Sequence, residues 1–525
     1  MYSKVLRALS LLLALIMLSA VVISCDNTSA DDNTDNEATD TPSDTGTEKT
    51  DPTDEVTDDT DVELIPLPEL DLEGEEITIL IRDNTLYSRE WYKKEAEDEL
   101  DESVAMRNAD VMDTLNIKLK YEFVPDASRD SLAINFNRRI ADDINSDTHK
   151  YDIAANAAYA GTYTSVRGYA ADLNDKELFP YFDFSLPCWN QSIVKNTTIN
   201  GRLHYIAGCM NLSMIDSAMV IWCNHTLYDQ KKEESDPQNL LTHVLSGNWT
   251  YADLYSWAAR LSDGSGNDGT YLFAMQKEPG KLSAPNPSDV IPYAWDLDFI
   301  VEAEDGTHSF NFVDNDKAEI ALKKFKMLIT EKNTTRNGTV FDFAAEKYLF
   351  FSGLIYPDYD YNTAIREMED KYNLFPWPKY EASQENYAST AQDTYTLMSV
   401  LDHSKSTVST RGTAISAYLQ LSSEETASSV IGYYYNRIVK PKYYGTDDYD
   451  SPMSSTIAVF DMIVDNIGLD YWTIYSPQLN NVAWLWRDTV NKEGVDLKEA
   501  FLDDEKNYLQ ALKDTDAWLG LGSNQ

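Results

Sequence analysis

The order of apolar patterns between residues 76 and 155 restricts this chain to few folds. Residues 76–81 form a β-branched, apolar run between polar flanks, which predicts a strand. Residues 98–116 repeat apolar side chains at spacings of four and seven, which predicts a helix. Alternation over 117–123 predicts a second strand, a polar helix is predicted over 132–140, and 151–155 predicts a third, buried strand. This strand–helix–strand–helix–strand order predicts an α/β lobe with a parallel sheet.

The loop expected after the third strand is a candidate edge of a ligand site. In open α/β sheets, ligands bind beyond the carboxyl ends of the strands. Residues 156–163 follow the predicted strand and include Tyr159 and Tyr163. We therefore expect these two tyrosines to face a ligand; the alternative for each is a role in packing.

The N-terminus has the pattern of an export signal. A short basic start precedes an apolar run over 8–22, which is too short to span a bilayer comfortably. This arrangement, with a small-residue exit, is typical of a signal peptide that is removed. The exit, VISC, ends at Cys25 and resembles the bacterial lipobox, which implies diacylation of that cysteine. We expect residues 1–24 to be a lipoprotein signal peptide, and a plain secretory peptide is the alternative.

A second segment, residues 25–63, is predicted to be a disordered acidic tether. Between 26 and 62 it contains 14 acidic residues against one basic residue, Lys49, and almost no large apolar side chain. A segment of this composition cannot bury enough apolar surface to offset the entropy lost on ordering. Repulsion between its like charges keeps the segment extended. The remaining residues, 64–525, are long for one domain and suit two lobes with separate cores.

The charge of the chain excludes one class of partner. The formal net charge is −45 at pH 7, so the phosphates of nucleic acid would be repelled. The six histidines show no H-x-x-x-H spacing and no pairing with cysteine, so we expect no zinc site and no other metal or cofactor.

Three cysteines remain beyond the one at the lipobox. Cys188, Cys209 and Cys223 contain no C-x-x-C spacing. A Cys209–Cys223 disulfide and three free thiols are both compatible with this odd number, and the sequence leaves the choice open.

Several segments, in order along the chain, resemble those of one protein family. They are DESVAMRNADVMDTLN (101–116), YDIAANAAYAGTYTSVRGYAADLND (151–175), LPCWNQSIVKNTTINGRLHYIAG (186–208) and YNLFPWPKYEASQENYAST (372–390). Together they resemble bacterial extracellular solute-binding lipoproteins of the Clostridia type, which are family 1-like substrate-binding proteins of ABC importers. Two positions depart from the family pattern: Cys188 stands where a tryptophan is usual, and His225 where a lysine is usual.

The resemblance implies a two-lobed α/β fold of the periplasmic-binding-protein type (type II), closing about hinge strands. Lobe one is expected over 64–212 with 381–450 returning to it, and lobe two over 213–380. The last segment, 451–525, is expected to form helices that pack on the lobes. The family also implies a monomer.

The family's ligands are bound by aromatic rings and by oriented polar groups. Tyr293 and Trp295 lie in the segment IPYAWDLDF, where sugar-binding relatives place stacking residues, whereas Trp189 is expected to be a packing anchor. For each aromatic candidate the alternative is a role in packing, either in the core or at the surface. The expected ligand-binding residues are Trp295, Tyr293, Tyr159, Tyr163, Asp216, Trp377 and Tyr356.

The expected function is capture of a small solute, a carbohydrate or oligosaccharide, for the permease subunits of an ABC transporter. The chain would sit on the outer face of the cytoplasmic membrane through its N-terminal lipid and would catalyse no reaction. The alternatives are a peptide-binding importer protein, a surface glycan-binding module and a secreted glycoside hydrolase, which needs two carboxylates flanking a groove.

One apparent motif is interpreted as a turn. Residues 264–269, GSGNDG, satisfy G-x-G-x-x-G, but they follow a helical pattern and precede a strand-like one. A dinucleotide fingerprint must follow a strand and open a helix. The segment therefore gives no support to a nucleotide site.

Overall fold

The computed structural model describes residues 64–92, 95–125, 129–261, 271–275, 277–278, 281–282, 286–330, 335–355, 364–365, 367–402, 409–431 and 452–521. The predicted signal peptide, Cys25 and the acidic tether lie outside the described residues, as do Tyr356 and the turn over 264–269. Among the helices in these ranges, none is both long and apolar enough to cross a membrane.

The strands of the described residues lie between positions 75 and 400. In order they are β1 (Glu75–Asp83), β2 (Ile117–Pro125), β3 (Ile153–Ala157), β4 (Thr198–Ile199), β5 (Arg202–Leu203), β6 (Met219–Asn224), β7 (Tyr271–Met275), β8 (Lys277–Glu278), β9 (Lys281–Leu282), β10 (Ile300–Glu302), β11 (His308–Phe310), β12 (Thr335–Asn337), β13 (Tyr348–Leu354), β14 (Tyr372–Phe375) and β15 (Thr396–Val400).

The helices alternate with these strands and then dominate the C-terminal part. In order they are α1 (Thr85–Ser88), α2 (Glu99–Leu115), α3 (Arg129–Ser146), α4 (Ala158–Gly161), α5 (Tyr163–Val166), α6 (Gln191–Thr197), α7 (Leu212–Asp216), α8 (His225–Lys231), α9 (Leu240–Leu245), α10 (Tyr251–Leu261), α11 (Ile291–Ala294), α12 (Asp316–Thr330), α13 (Val340–Ala344), α14 (Ser409–Glu425), α15 (Pro452–Asp465), α16 (Tyr471–Ile474), α17 (Ala483–Asn491), α18 (Leu497–Leu502) and α19 (Glu505–Trp518).

The first sheet has the strand order β15-β3-β1-β2. β1 runs parallel to both β2 and β3, which confirms the predicted parallel sheet, and β15 is added antiparallel to β3. The predicted helices over 98–116 and 132–140 are confirmed as α2 and part of α3. The prediction of a loop over 156–163 is wrong: these residues complete β3 and enter α4 and α5, because alanine-rich sequence favours helix.

Helices cover both faces of the first sheet. Successive side chains of β1 point to opposite faces. Ile77, Ile79 and Ile81 are buried in a cluster that includes residues of α2 and α14. Leu80 is buried on the other face with Leu132 of α3. This two-sided burial is typical of a parallel sheet.

The second sheet has the strand order β12-β7-β13-β6-β14. β12, β7 and β13 run parallel to one another, whereas β6 is antiparallel to both of its neighbours, β13 and β14. Its core is rich in aromatic rings: Trp249 stacks on Trp257 with ring centroids 5.5 Å apart, and both contact Phe350. The five strands lie between residues 219 and 375, and the lobe boundaries given above stay a prediction.

Two segments cross between the sheets and lie side by side. The first leads through α7 to β6, and the second leads from β14 to β15. They meet at an antiparallel bridge between Ala218 and Ala391, and the Gln392 N–H donates to the Ser217 carbonyl at 2.8 Å. This pairing is the arrangement expected of a hinge between two lobes.

A buried polar network fixes the first crossover to the first sheet. The Glu90 carboxylate accepts hydrogen bonds from the Ser213 N–H at 2.8 Å and from its hydroxyl at 3.1 Å. Arg89 forms an ion pair with Asp216 at 2.9 Å, and both side chains are nearly fully buried. Burial raises the pKa of the Glu90 carboxyl above its ordinary value. Helix α7 is therefore held at both of its ends.

The C-terminal helices contact elements from both sheets. On one side, the Thr162 hydroxyl, next to α5, donates to the Gln478 side chain at 2.9 Å. On the other, the Trp486 indole N–H of α17 donates to the Ser288 carbonyl at 2.9 Å. These contacts place residues 471–491 beside the region where the two crossovers meet.

Candidate functional site

In each sheet, one edge is formed by the carboxyl ends of strands such as β3 and β13. These two edges face a common cleft. β3 ends at Ala157, opposite Thr396 at the start of β15. β13 ends at Leu354, opposite Met219 at the start of β6. A cleft that is partly open to solvent lies here and is lined by Tyr159, Met219, Asp289, Pro292, Thr390, Ala391, Gln392, Asp393, Trp472, Thr473, Ser476, Pro477, Asn481, Ala483, Trp484, Trp486 and Arg487.

Aromatic rings form one wall of the cleft. Trp484, on the first turn of α17, is 49% exposed. Trp472 and Trp486 are almost fully buried, and their indole N–H groups donate to Asp470 at 2.5 Å and to the Ser288 carbonyl at 2.9 Å. Trp484 is therefore the tryptophan of this wall that offers ring surface to a ligand.

An ion pair lies beside this ring. The Arg487 Nε donates to Asp289 Oδ1 at 2.9 Å, and a second nitrogen of the guanidinium contacts the other oxygen. Each side chain is about one-third exposed. The guanidinium carbon lies 5.6 Å from the centroid of the Trp484 ring. This fork-to-fork geometry fixes both groups in orientation, so it joins α17 to the turn before α11.

The second crossover supplies the polar wall. Residues 390–393 line the cleft with a hydroxyl, an amide and a carboxylate. The Asp393 carbonyl accepts a hydrogen bond from the Tyr159 N–H at 3.0 Å, which fixes this segment against the end of β3. Side chains of this kind provide the oriented hydrogen bonds that hydroxyl-rich ligands require.

One buried carboxyl group, that of Asp470, lies next to the cleft-lining residues of α16. Burial raises the pKa of Asp470 to about 6, although hydrogen bonds from Thr473 and Trp472 lower it. Asp470 precedes α16 and accepts from the Thr473 N–H at its N-terminus. Its charge therefore changes close to the two α16 residues that line the cleft.

Of the predicted site residues, Tyr159 lines the cleft. Tyr163 lies one short helix further on, half-buried, with its ring 6.0 Å from that of Tyr169. Tyr293 is also half-buried, and its hydroxyl lies 3.1 Å from the Ser192 hydroxyl. Tyr163 and Tyr293 are outside the lining of the cleft. Tyr356 lies outside the described residues.

Three other predicted site residues are buried away from the cleft. Trp295 has no exposed surface, and its indole N–H donates to the Pro378 carbonyl at 3.0 Å. Trp377 is 1% exposed, and Asp216 forms the buried ion pair with Arg89. A ring or carboxylate without exposed surface offers nothing to a ligand. In this structure Trp295 and Trp377 therefore lie in the core, and Asp216 pairs with Arg89 at the first crossover.

Asp289, Asp393, Trp484 and Arg487 line the cleft but were not among the residues predicted from the sequence. The available signal was local: Trp484 and Arg487 are three residues apart, which places them on one face of a helix. The two asparagines before that helix, Asn480 and Asn481, have positive φ values, a conformation that asparagine tolerates better than most residues. The contact with Asp289 carries no such local signal.

The cysteines and histidines play no visible part in this site. Cys188, Cys209 and Cys223 carry free thiols, and burial raises the pKa of Cys188 to about 12 and that of Cys209 to about 11. Trp189, which lies in the same core cluster as Cys188, is a packing residue, 1% exposed, as predicted. Within the described ranges, no cluster of His, Cys, Asp and Glu side chains could hold a metal ion.

Comparison with known proteins gives matches at the level of structure. No protein-family model matches the chain, and no curated protein matches it.

Three solved structures illustrate the likeness. The cyclic α-maltosyl-1,6-maltose binding protein from Arthrobacter globiformis has a TM-score of 0.53 at 13% identity, over 84% of this chain and 100% of that one. The sugar-binding protein MalE from Xanthomonas citri has a TM-score of 0.51 at 10% identity, over 85% and 97%. An ABC transporter solute-binding protein from Thermotoga lettingae, bound with α-D-tagatose, has a TM-score of 0.50 at 13% identity, over 84% and 100%. At such identities the likeness shows the fold: the chain has the two-lobed α/β architecture of periplasmic binding proteins.

Proposed function

We propose that this chain is an extracytoplasmic solute-binding protein that captures a carbohydrate between its two lobes and delivers it unchanged to an ABC importer. The observation that carries the proposal is the cleft at the carboxyl edges of both sheets, with the half-exposed ring of Trp484 in its wall. In such folds this edge is the place where ligands bind.

The chemistry of the cleft suits a sugar. A flat indole ring can stack against the C–H face of a pyranose, and amide, hydroxyl and carboxylate groups can bond its hydroxyls. Trp484 and Tyr159 supply the rings, and Gln392, Asp393 and Asn481 supply the polar groups. The ligands named for the neighbours from Arthrobacter globiformis and Thermotoga lettingae, a cyclic maltosyl-maltose and tagatose, are also sugars.

Capture would proceed by closure of the lobes. A ligand that contacts both lobes favours the closed state, and the shift is limited by how much better it binds that state. The paired crossovers at Ala218 and Ala391 are placed to absorb the rotation. The network of Glu90 and Ser213 would keep α7 with the first sheet while the lobes move.

Location and partners extend the proposal. The lipobox-like exit at Cys25 would carry the lipid anchor, and residues 26–63 would extend the binding domain away from the membrane. The permease subunits of an ABC transporter are the proposed receivers of the ligand, and the protein would act as a monomer. The predicted lobes, 64–212 with 381–450 and 213–380, are part of the same proposal.

A thermal-shift screen tests the function. The purified protein would be heated with neutral mono- and oligosaccharides and with short peptides at millimolar concentration. We expect at least one saccharide to raise the melting temperature, because a ligand that binds only the folded state stabilises it with occupancy. A shift with peptides alone would contradict the carbohydrate assignment. Recovery of a cleaved saccharide after incubation would contradict the non-enzymatic assignment.

A further inference from the structure

The arginine in the cleft is already engaged by a carboxylate of the protein. A planar guanidinium is the group best suited to bind the carboxylate or phosphate of a ligand in a bidentate manner. In this cleft, Asp289 occupies that geometry, with Arg487 Nε to Oδ1 at 2.9 Å and a second contact between the other guanidinium nitrogen and oxygen.

The formal charge of the described cleft lining is negative. Among the described residues, the lining contains two carboxylates, Asp289 and Asp393, against one guanidinium, Arg487. The chain as a whole carries a formal charge of −45. An anionic ligand would therefore meet repulsion both on approach and in the cleft.

We propose that the Asp289–Arg487 pair is a specificity determinant that restricts the cleft to uncharged saccharides and excludes uronic-acid and phosphorylated sugars. To gain Arg487, an anionic ligand would have to displace Asp289 and leave that carboxylate unpaired in a partly buried position, which is costly. The pair also holds the guanidinium beside the Trp484 ring, so it orients the surface on which an uncharged sugar would stack. This inference rests on the proposed function.

Titration calorimetry with matched neutral and acidic ligands tests the inference. The neutral probes are maltotriose, cellotriose and xylotriose, and the acidic probe is trigalacturonate. We expect the wild-type protein to bind its best neutral probe at least a hundredfold more tightly than trigalacturonate. We expect Asp289→Asn, which releases the guanidinium but keeps the size of the side chain, to bind trigalacturonate at least tenfold more tightly than the wild type does.

Two further variants separate the effect of the pair from a general loss of structure. The double variant with Asp289→Asn and Arg487→Gln should lose the gain in trigalacturonate affinity that Asp289→Asn alone produces. Arg487→Gln alone should bind trigalacturonate no better than the wild type. Asp229→Asn is the matched control, because it removes the carboxylate of an exposed ion pair with Lys232. It should change neither the affinity for the neutral trisaccharide nor that for trigalacturonate.

The outcomes distinguish the two proposals. Equal affinity of the wild type for trigalacturonate and for a neutral trisaccharide would overturn the inference and leave the proposed function standing. A folded Asp289→Asn variant without a gain would also overturn the inference. No binding of any saccharide, neutral or acidic, would overturn the proposed function and the inference with it.

Discussion

The two aromatic regions of the molecule differ in what their tryptophans face. In the core of the second sheet, Trp249 and Trp295 have no exposed surface, and their indole N–H groups donate at 3.0 Å to the carbonyls of Pro376 and Pro378. In the cleft, Trp484 is 49% exposed. The same type of side chain therefore packs against the start of the second crossover in one region and presents ring surface to the cleft in the other.

The difference predicts separable effects. A tryptophan in the core should contribute to the free energy of unfolding, whereas one in the cleft should contribute to ligand affinity. Substitutions in the two regions should therefore change different measured quantities.

Trp295→Ala should lower the free energy of unfolding by about 3–5 kcal/mol, because it leaves a large cavity in the core. It also removes the hydrogen bond to the Pro378 carbonyl and the ring contacts with Tyr251 and Tyr380. Chemical denaturation followed by circular dichroism measures the effect. The matched control is Trp518→Ala, whose ring is 52% exposed on α19 and should cost under about 0.5 kcal/mol. A loss for Trp295→Ala as small as that of the control would contradict its place in the core.

Acid should weaken the core of the second sheet through His225. This side chain is buried beside Phe375, and burial lowers its pKa from 6.5 to about 4. Because the folded-state pKa is lower, the stabilisation is complete above pH 6.5 and is lost as the pH falls toward 4. Full loss of this stabilisation would lower the free energy of unfolding by about 3 kcal/mol.

Comparison with a variant isolates this titration from those of the many carboxylates. The free energy of unfolding would be measured at pH 7 and at pH 4.5 for the wild type and for His225→Gln. The wild type should lose more stability on acidification than the variant does. An equal loss in the two proteins would show that His225 does not titrate as its burial predicts.

Trp484→Ala should weaken binding of the saccharide found by the screen at least tenfold, or about 1.4 kcal/mol. Its free energy of unfolding should change by less than about 0.5 kcal/mol, because half of the ring is already in solvent. Calorimetry gives the affinity, and Trp518→Ala again serves as the control with unchanged binding. An unaltered affinity would remove Trp484 from the site.

The first sheet was predictable because its signals are local. The apolar run over 76–81 and the alternation over 117–123 each identify an element without reference to distant residues. The strand β15 was not predicted, since it joins β3 from 239 positions further along the chain, counted from Ala157 to Thr396. No local pattern specifies such a pairing.

The candidate site was predicted only in part for the same reason. Tyr159 was found because it follows a strand whose carboxyl end could be located in the sequence. Trp295 was selected from a short segment, but its burial depends on Phe325 and Tyr380 packing around it. Conversely, the position of Trp484 in the cleft depends on contacts of α17 with distant residues, such as those of Arg487 with Asp289 and of Trp486 with Ser288.

A crystal structure of the protein with the saccharide that gives the largest thermal shift would show where the ligand binds and whether it is intact. We predict an intact saccharide in the cleft between the two sheets, with one ring on the Trp484 indole and hydroxyl groups bonded to the 390–393 segment. A saccharide bound elsewhere on the molecule would contradict the proposed binding site. A saccharide cleaved in the cleft would contradict the proposed non-enzymatic function.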